Sequence, residues 1–179
     1  MDIAHELTVL RREIERLTAR ESIRQQLTRY GRGHEWVDVT LIDEVFWEDA
    51  ELDFGFFKGV WRDYRPILME IERNIEGSFH LSASAQIEFE NDDCAHVECY
   101  GIAGGPRGES AQLYGGRYFH RFERRGGIWR SARCCYVMDW KLRGVDESLV
   151  NPGLVGVNRV ADRSPNHPWF RRMGQDVTG

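Results

Sequence analysis

The sequence predicts an α+β fold, a cone-shaped α+β barrel in which N-terminal helices pack on a strongly bent antiparallel sheet that encloses a pocket. Two observations support this. Up to about residue 75 the apolar residues mostly recur at helical spacing, and after Gly77 the chain changes to long β-type segments separated by explicit turns. Helices followed by a meander of strands are typical of helices packed on one antiparallel sheet.

The first helix is expected to start almost at the terminus. Its apolar residues recur at alternating spacings of four and three, which puts one apolar stripe on a charged helix. The stripe consists of Ile3, Leu7, Leu10, Ile14 and Leu17. Thr18 followed by Glu21 fits a capping box, so a second helix is expected to begin there and to end at Gly31 and Gly33.

Two further helices are predicted, one from Trp36 to Asp49 and one from Tyr64 to Ile75, with Pro66 in the first turn of the latter. The short aromatic segment 54–59 between them is expected to form a strand pair or a bent strand. The predicted long strands are Phe79 to Glu90, Cys94 to Ala103, Gln112 to Arg124 and Ile128 to Lys141.

The turns between the strands are expected at 91–93, in a loop through 104–106, and at Gly126-Gly127 as a tight hairpin. No linker or repeat divides the chain, so residues 1–179 are expected to form one domain with a core at about 13–141. Residues 142–179 are expected to form an extended C-terminal tail, with a short helix near Trp169.

Composition narrows the function classes. The 24 Lys and Arg residues against 29 Asp and Glu residues give a formal charge of −5, with both signs scattered, whereas a nucleic-acid groove needs a concentrated basic face. No apolar run approaches the ~20 residues that span a bilayer, and the first twenty residues lack the features of a signal peptide. A cytoplasmic protein without a nucleic-acid or membrane partner is expected.

The four cysteines form neither a C-x-x-C pair nor a regular framework, so free and mostly buried thiols are expected. Nothing in the sequence resembles a zinc-ligand signature, so no metal site is predicted. The cysteines are Cys94, Cys99, Cys134 and Cys135.

Alternation along the strands predicts a pocket lining. One face of each late strand is apolar and aromatic with a few phenol hydroxyls, which suits a hydrophobic ring-containing ligand and does not suit phosphate. The candidate lining residues on the strands are Tyr100, Tyr114, Tyr118, Cys134, Tyr136 and Met138.

His80 begins a strand in which its same-face neighbours Ser82 and Ser84 are small and polar, which leaves space beside an imidazole. Taken alone, His80 is equally well a satisfied histidine at a strand end. His34-Glu35 is the other place where a base and a carboxylate lie near the predicted cavity rim, and its plain alternative is an ordinary polar loop.

Short motifs in a fixed order give the chain a family resemblance from about Glu13 to Trp140. They are Arg20-Glu21-Ser22-Ile23, then Tyr30, Glu35 and Asp38, then Phe46-Trp47-Glu48-Asp49-Ala50-Glu51, then Ser78-Phe79-His80, and Arg124-Arg125-Gly126-Gly127-Ile128-Trp129. In this order they resemble the SnoaL-like family of the nuclear-transport-factor-2-like superfamily, whose dehydratase-related members are lyases without a cofactor.

The resemblance implies a cofactor-independent lyase for a hydrophobic cyclic small molecule, with His80 as general base, Glu35 as the acid that hydrogen-bonds it and Tyr30 as donor. Glu35 stands where the family has Asp, which adds one methylene. Met138 and Phe54 stand where one relative has Arg and Tyr. His34 stands where another relative has Tyr, and could be a second acid, a substrate contact or a plain rim residue.

Two alternatives stay open. The same proton-transfer groups could serve an isomerase or a polyketide-cyclase-type enzyme, because fold does not fix the reaction. The chain could also be a non-catalytic ligand-binding or accessory protein. Relatives of this type are often dimers or trimers, and the helix stripe with Trp169 and Phe170 would supply contact surface for a homo-oligomer. The tail could instead close its own pocket.

Overall fold

A computed structural model describes residues 3–75 and 77–146. The helices are α1 (Ile3–Trp36), α2 (Val39–Asp43) and α3 (Trp61–Arg73). The strands are β1 (Phe46–Asp53), β2 (Lys58–Val60), β3 (Phe79–Asn91), β4 (Cys94–Arg107), β5 (Ser110–Arg125) and β6 (Ile128–Val145). The predicted wrap of the tail and the helix near Trp169 lie outside the described residues.

The six strands form one curved, unclosed sheet in the order β2-β1-β6-β5-β4-β3, with helices packed on it. The predicted α+β cone is therefore confirmed. One detail of the prediction is wrong, because β1 runs parallel to β6 while the other four pairs are antiparallel. A parallel neighbour requires a long crossover, and the chain from β1 to β6 passes through α3 and four strands.

Helix α1 is a single helix, so the predicted restart at Thr18 is wrong. The Thr18 hydroxyl donates to the carbonyl of Ile14, 2.8 Å away, within the helix instead of capping a new one. Gly31 and Gly33 also lie inside α1 and do not end it. Gly31 is needed for packing, because a Cβ there would lie 2.8 Å from the carbonyl oxygen of His80 on β3.

The predicted helix over 36–49 is also wrong. Only the short α2 forms, capped by the Asp38 side chain, which accepts from the backbone N–H groups of Thr40 and Leu41. The chain from Phe46 onward joins the sheet, where Phe46, Ala50 and Leu52 are buried. Helical spacing over so short a segment is a weak signal. The hydrogen bonds and the burial gained by pairing with β6 stabilise the strand more than a helix would be stabilised here.

The later elements follow the prediction more closely. Helix α3 forms but begins at Trp61, so Pro66 lies inside the helix and its predicted place in the first turn is wrong. All four long strands form, each extending past its predicted end. The loop expected at 104–106 is wrong: those residues belong to β4, and the β4–β5 turn lies at Gly108 and Glu109. The tight hairpin at Gly126-Gly127 is confirmed, with φ of 59° and 83°, the left-handed values that a two-residue turn favours.

Two irregularities change which side chains face inward. Ser131 pairs with Phe122 and Arg133 with Arg121, so Ala132 is a bulge and Ser131 is fully buried. Simple alternation from Cys134 would instead place Ser131 on the outward face. A second shift lies in β3 at Ser84, where φ is +54°, so the face shared with His80 ends before Ser84.

The core lies between the inner face of the sheet and the three helices. Helices and strands both contribute to it, and its members include Ile23, Leu27, Tyr30, Ile42, Val45, Phe46, Trp61, Leu68, Val97, Cys99, Phe122, Trp129 and Cys134. Three of the four thiols are buried and none is in a disulfide, as predicted. No helix in the described ranges 3–75 and 77–146 is long and apolar enough to cross a membrane. The cytoplasmic location and the single domain stay predictions.

His120 is a buried histidine with a structural role. Its Nδ1 lies 3.1 Å from the hydroxyl of Ser131, which itself donates to the carbonyl of Arg133. The Ser131 hydroxyl proton is thus already used, and His120 Nδ1 is the donor. Its Nε2 lies 3.8 Å from the Cys134 thiol. Burial lowers the pKa of His120 to about 4, so the core holds this ring neutral.

Replacing Gly31 with Ala should destabilise the fold by about 1–3 kcal/mol, because the new methyl group would force α1 away from the carbonyl of His80. Urea unfolding followed by circular dichroism measures this change. Gly144→Ala is the matched control, since a Cβ at Gly144 meets nothing within 4 Å. An equal midpoint for Gly31→Ala and wild type would contradict the close approach of helix and strand.

Acid should destabilise the protein below pH 6.5. The folded pKa of His120 lies below its ordinary value of 6.5, so its contribution is complete above pH 6.5 and is lost as the pH falls toward about 4. Between pH 7.5 and pH 5 the loss from this residue should be about 2 kcal/mol. Urea unfolding at the two pH values measures it. His120→Asn should reduce the dependence and leave the part that the lowered pKa of His80 contributes, whereas His96→Gln, at an exposed histidine, should not change it.

Candidate active site

Three elements bring two imidazoles and a carboxylate together beneath the sheet. The C-terminal end of α1 supplies His34, the last turn of α3 supplies Glu72, and the first residues of β3 supply His80. One side-chain ligand atom from each of the three lies within 4.8 Å of the others. The rings of His34 and His80 stack with their centroids 4.3 Å apart. The absence of a side chain at Gly31 allows α1 and β3 to approach closely enough for this contact.

His34 and Glu72 form a buried pair. His34 Nδ1 lies 2.9 Å from Glu72 Oε1, and each side chain is only 5% exposed. Because a carboxylate only accepts, the Nδ1 of His34 carries the proton, and Nε2 is left as an acceptor. Within the described part of the chain His34 Nε2 and Glu72 Oε2 have no hydrogen-bond partner. Glu72 therefore fixes the tautomer and the orientation of His34 and leaves its second nitrogen available.

His80 contacts Glu35 differently from the sequence-based expectation. The Glu35 carboxylate accepts from the backbone N–H of His80 at 3.0 Å, whereas the resemblance implied a bond to the ring. His80 Nδ1 is buried without a partner among the described residues. Burial, and then the neighbouring His34, lower the pKa of His80 to about 2, so this ring is neutral at physiological pH. Through its bond to the backbone of His80, Glu35 positions the start of β3.

Tyr30 lies one helical turn before His34. Its ring meets that of His34 edge-on at 4.4 Å and that of Tyr118 at 5.5 Å. Burial raises the pKa of Tyr30 well above its ordinary value, with further contributions from Tyr118 and Cys134. Tyr30 therefore keeps its proton at neutral pH and can act only as a donor or a neutral acceptor.

Among the predicted lining residues, Tyr118, Cys134 and Tyr136 lie on the inner face with Tyr30. The rings of Tyr118 and Tyr136 are 4.7 Å apart, and Cys134 is fully buried beside them. Gly116, opposite Met138, allows β6 to pack closely here, since a Cβ there would clash with the Val137 carbonyl oxygen and lie 2.7 Å from the Tyr136 hydroxyl.

The other predicted contacts lie further away or face outward. Tyr100 pairs with Arg117 on the outer face, is 53% exposed and packs under that guanidinium, so its assignment to the pocket is wrong. Phe54 packs on Tyr64 at the β1–β2 turn. Tyr114 is half-buried on the inner face and donates to Gln112, while Met138 is 55% exposed.

Glu72 is the site residue that the sequence reasoning missed. The signal was present: the buried residues of α3 recur as Trp61, Tyr64, Leu68 and Glu72, so a carboxylate occupies a position on the apolar stripe of the helix. A buried acid requires a partner, and that requirement alone marks Glu72 as unusual. Its partner could not be identified before the fold had brought α3 beside α1.

The same three residues are also the donor set for a divalent metal, although no metal site was predicted. Two imidazoles and a carboxylate are the ligand types that bind zinc or non-haem iron. A metal would have to break the His34–Glu72 hydrogen bond or use the outer atoms Nε2 and Oε2. The pair as it stands satisfies the geometry of an oriented base. The other three-residue cluster in the described ranges, Glu90, Cys94 and His96, lies mostly at the surface.

Comparisons with known proteins agree with this architecture. Residues 15–134 match a family model described as a SnoaL-like domain. A candidate scytalone dehydratase from Novosphingobium aromaticivorans has a similar structure, with a TM-score of 0.65 at 20% identity over 73% of this chain and 90% of that one. A hexachlorocyclohexane dehydrochlorinase, LinA type 2, has a TM-score of 0.64 at 18% identity over 75% of this chain and 94% of that one.

A protein of unknown function from Mycobacterium tuberculosis also has a similar structure, with a TM-score of 0.58 at 22% identity over 73% of this chain and 75% of that one. A search of curated protein sequences finds no match. The structural matches share the fold at low identity, whereas the family model spans most of the chain. The chain therefore belongs to the SnoaL-like family, within the nuclear-transport-factor-2-like superfamily.

Proposed function

We propose that this protein is a lyase that eliminates water, or a similar leaving group, from a hydrophobic cyclic small molecule by proton transfer to His34. The observation that carries the proposal is the buried 2.9 Å hydrogen bond from His34 Nδ1 to Glu72, which leaves His34 Nε2 without a partner beside a second imidazole. A base oriented by a buried carboxylate is the arrangement that general-base catalysis needs.

In this mechanism His34 Nε2 takes the proton from the carbon next to the one that bears the leaving group. The electron pair of that C–H bond forms the new double bond, and the leaving group departs with its own bonding pair. Glu72 stabilises the imidazolium that forms. A neutral donor then protonates the departing hydroxide to water, and the proton taken up by His34 returns to that donor, so both groups recover their starting states. Tyr30, whose raised pKa keeps its hydroxyl protonated, is the donor in this proposal, and His80 Nδ1 contacts the substrate.

This assignment replaces the His80–Glu35 pair that the family resemblance implied. His80, with a pKa lowered to about 2, is a poor base, because little driving force remains for it to take a proton from carbon. His34 has the carboxylate partner that His80 lacks. Glu35 contributes by holding the backbone of His80 in position.

The chemistry of the substrate is proposed from the surroundings of the pair. Tyr30, Tyr118 and Tyr136 pack in sequence along the inner face, and no lysine or arginine is among the buried residues of the described chain. Aromatic rings with phenol hydroxyls favour a ring-shaped apolar molecule with a few oxygens. The dehydratase and dehydrochlorinase among the structural relatives are named for eliminations, which supports the same reaction class.

Glu72→Gln should lower kcat by about 10²–10⁴-fold, because the amide no longer stabilises the imidazolium of His34. Product formation from a panel of cyclic alcohols and halides, followed by mass spectrometry, measures this change. Glu35→Gln is the matched control. Its amide oxygen can still accept from the backbone of His80, so its kcat should stay within about tenfold of wild type.

The two variants separate the two assignments. Loss of activity in Glu35→Gln with activity retained in Glu72→Gln would return the role of orienting acid to Glu35 and contradict our proposal. Because Glu72 is buried, its replacement can also lower the stability of the fold. Urea unfolding of both variants gives the folded fraction, and kcat is compared per folded molecule.

An isomerase would use the same base and differ in its product. Turnover in deuterium oxide distinguishes the reactions: an elimination yields a product lighter than the substrate by the leaving group and one proton, whereas an isomerisation keeps every heavy atom and yields a product heavier by the deuterium taken from the solvent. Binding of panel compounds with no turnover in wild type would instead support the non-catalytic ligand-binding role.

A further inference from the structure

The N-terminal half of α1 is exposed along its length, and near its end the Arg16 guanidinium lies 5.0 Å from the centre of the Phe89 ring on β3. Every residue from Ile3 to Thr18 is exposed, and Ala19 is the first buried one. This segment extends roughly 24 Å along the helix axis. An isolated helix of about this length is marginally stable in water, so a tertiary or quaternary contact has to stabilise it.

The exposed segment carries an apolar seam with the spacing of a coiled coil. The five seam residues are between 57% and 71% exposed, and successive members are four, three, four and three positions apart. A mean spacing of 3.5 residues is the heptad period, in which a and d positions alternate along one face. The seam comprises Ile3 (d), Leu7 (a), Leu10 (d), Ile14 (a) and Leu17 (d).

The seam points away from the rest of the domain. The residues that fasten the second half of α1 to the sheet, among them Ile23, Gln26 and Tyr30, lie about 180° around the helix from the seam at 100° per residue. The sheet and the other helices therefore cannot reach it while α1 remains straight. An occupant must come from another chain or from the residues beyond 146.

The charges beside the seam favour a second copy in parallel orientation. Glu6 occupies a g position and Arg11 the following e position, so in a parallel pair each Glu6 faces Arg11 of the other helix, twice by symmetry. An antiparallel pair with the seams aligned would bring Glu6 near Glu13 of the other helix and the two Arg11 side chains near each other. Opposite charges meet only in the parallel arrangement.

We propose that residues 3–18 of α1 pair in parallel with the same segment of a second copy and form a short two-stranded coiled coil that makes the protein a homodimer through this helix. The contact buries the seam and adds two Glu6–Arg11 ion pairs at its edges. This interface is separate from the candidate active site and does not depend on the proposed reaction.

The mass of the full-length protein in solution tests the pairing. Leu10→Glu places a charge in the middle of the seam and should weaken association at least about tenfold, which multi-angle light scattering over a dilution series measures. Thr8→Glu makes the same charge change on an exposed position outside the seam and should keep the wild-type mass. A monomeric wild type, as expected if residues 147–179 cover the seam, or an unchanged mass for Leu10→Glu, would overturn the proposal.

Cross-linking tests the orientation. In a parallel pair the two Leu17 positions meet, so Leu17→Cys should form a disulfide-linked dimer under mild oxidation. In an antiparallel pair the two Leu17 positions lie about 20 Å apart, at opposite ends of the seam. Arg12→Cys, at an outward f position, is the control and should remain monomeric on a denaturing gel. Cross-linking no greater for Leu17→Cys than for Arg12→Cys would overturn the parallel arrangement.

The charge pair gives a third, independent readout. Glu6→Arg and Arg11→Glu should each weaken association several-fold, and the double variant should recover it, because the opposite charges then meet again with their positions exchanged. Single variants that associate as tightly as wild type, together with no recovery in the double variant, would contradict the Glu6–Arg11 contact.

Discussion

The close approach of α1 to β3 is the constraint on which the rest of the site depends. At Gly31 the helix backbone lies so near the carbonyl of His80 that no side chain fits between them. This contact determines how far His34 lies from His80, and the last turn of α3 then places Glu72 against His34. Glu35, four residues after Gly31, fastens the same strand by accepting from its backbone. Packing between the two backbones, more than any single polar bond, sets the geometry of the imidazoles.

Burial gives the two histidines different chemistry although their rings are stacked. His80 is desolvated, lies beside His34 and has no partner for Nδ1 among the described residues, so its pKa is lowered and its neutral form is favoured. His34 is more fully buried, and its Nδ1 donates to the carboxylate of Glu72. Two imidazoles in different surroundings can have different roles in one reaction, with one acting as the base and the other as a neutral contact.

The sequence predicted the architecture well because periodicity over long segments is robust. The four long strands and the Gly126-Gly127 hairpin follow from alternation and turn chemistry, which are local. The errors lie where local signals were overruled. Helix α1 continues through Thr18 and Gly31 because the packing of its second half against the sheet stabilises an unbroken helix. Phe46 to Asp53 forms a strand because its backbone pairs with β6.

The candidate site was only half predictable for a related reason. Tyr30, His34, Glu35 and His80 could be named in advance, since motif order placed all four near one end of the sheet. Their pairing could not be predicted, because it depends on which carboxylate the tertiary structure brings to which ring. Glu72 comes from a helix with no motif of its own, and bulges such as that at Ala132 exchange the faces that simple alternation assigns.

The unbroken course of α1 has a consequence for how the chain tolerates change in length. Its first half shows one face outward, its second half shows the opposite face to the sheet, and no proline or bend separates them. The angular phase between the two faces is therefore fixed by residue count alone. One residue inserted near Ala19 would turn the outward seam by about 100° relative to His34, whereas seven would restore it within about 20°. Length variation in this helix should thus occur in whole heptads.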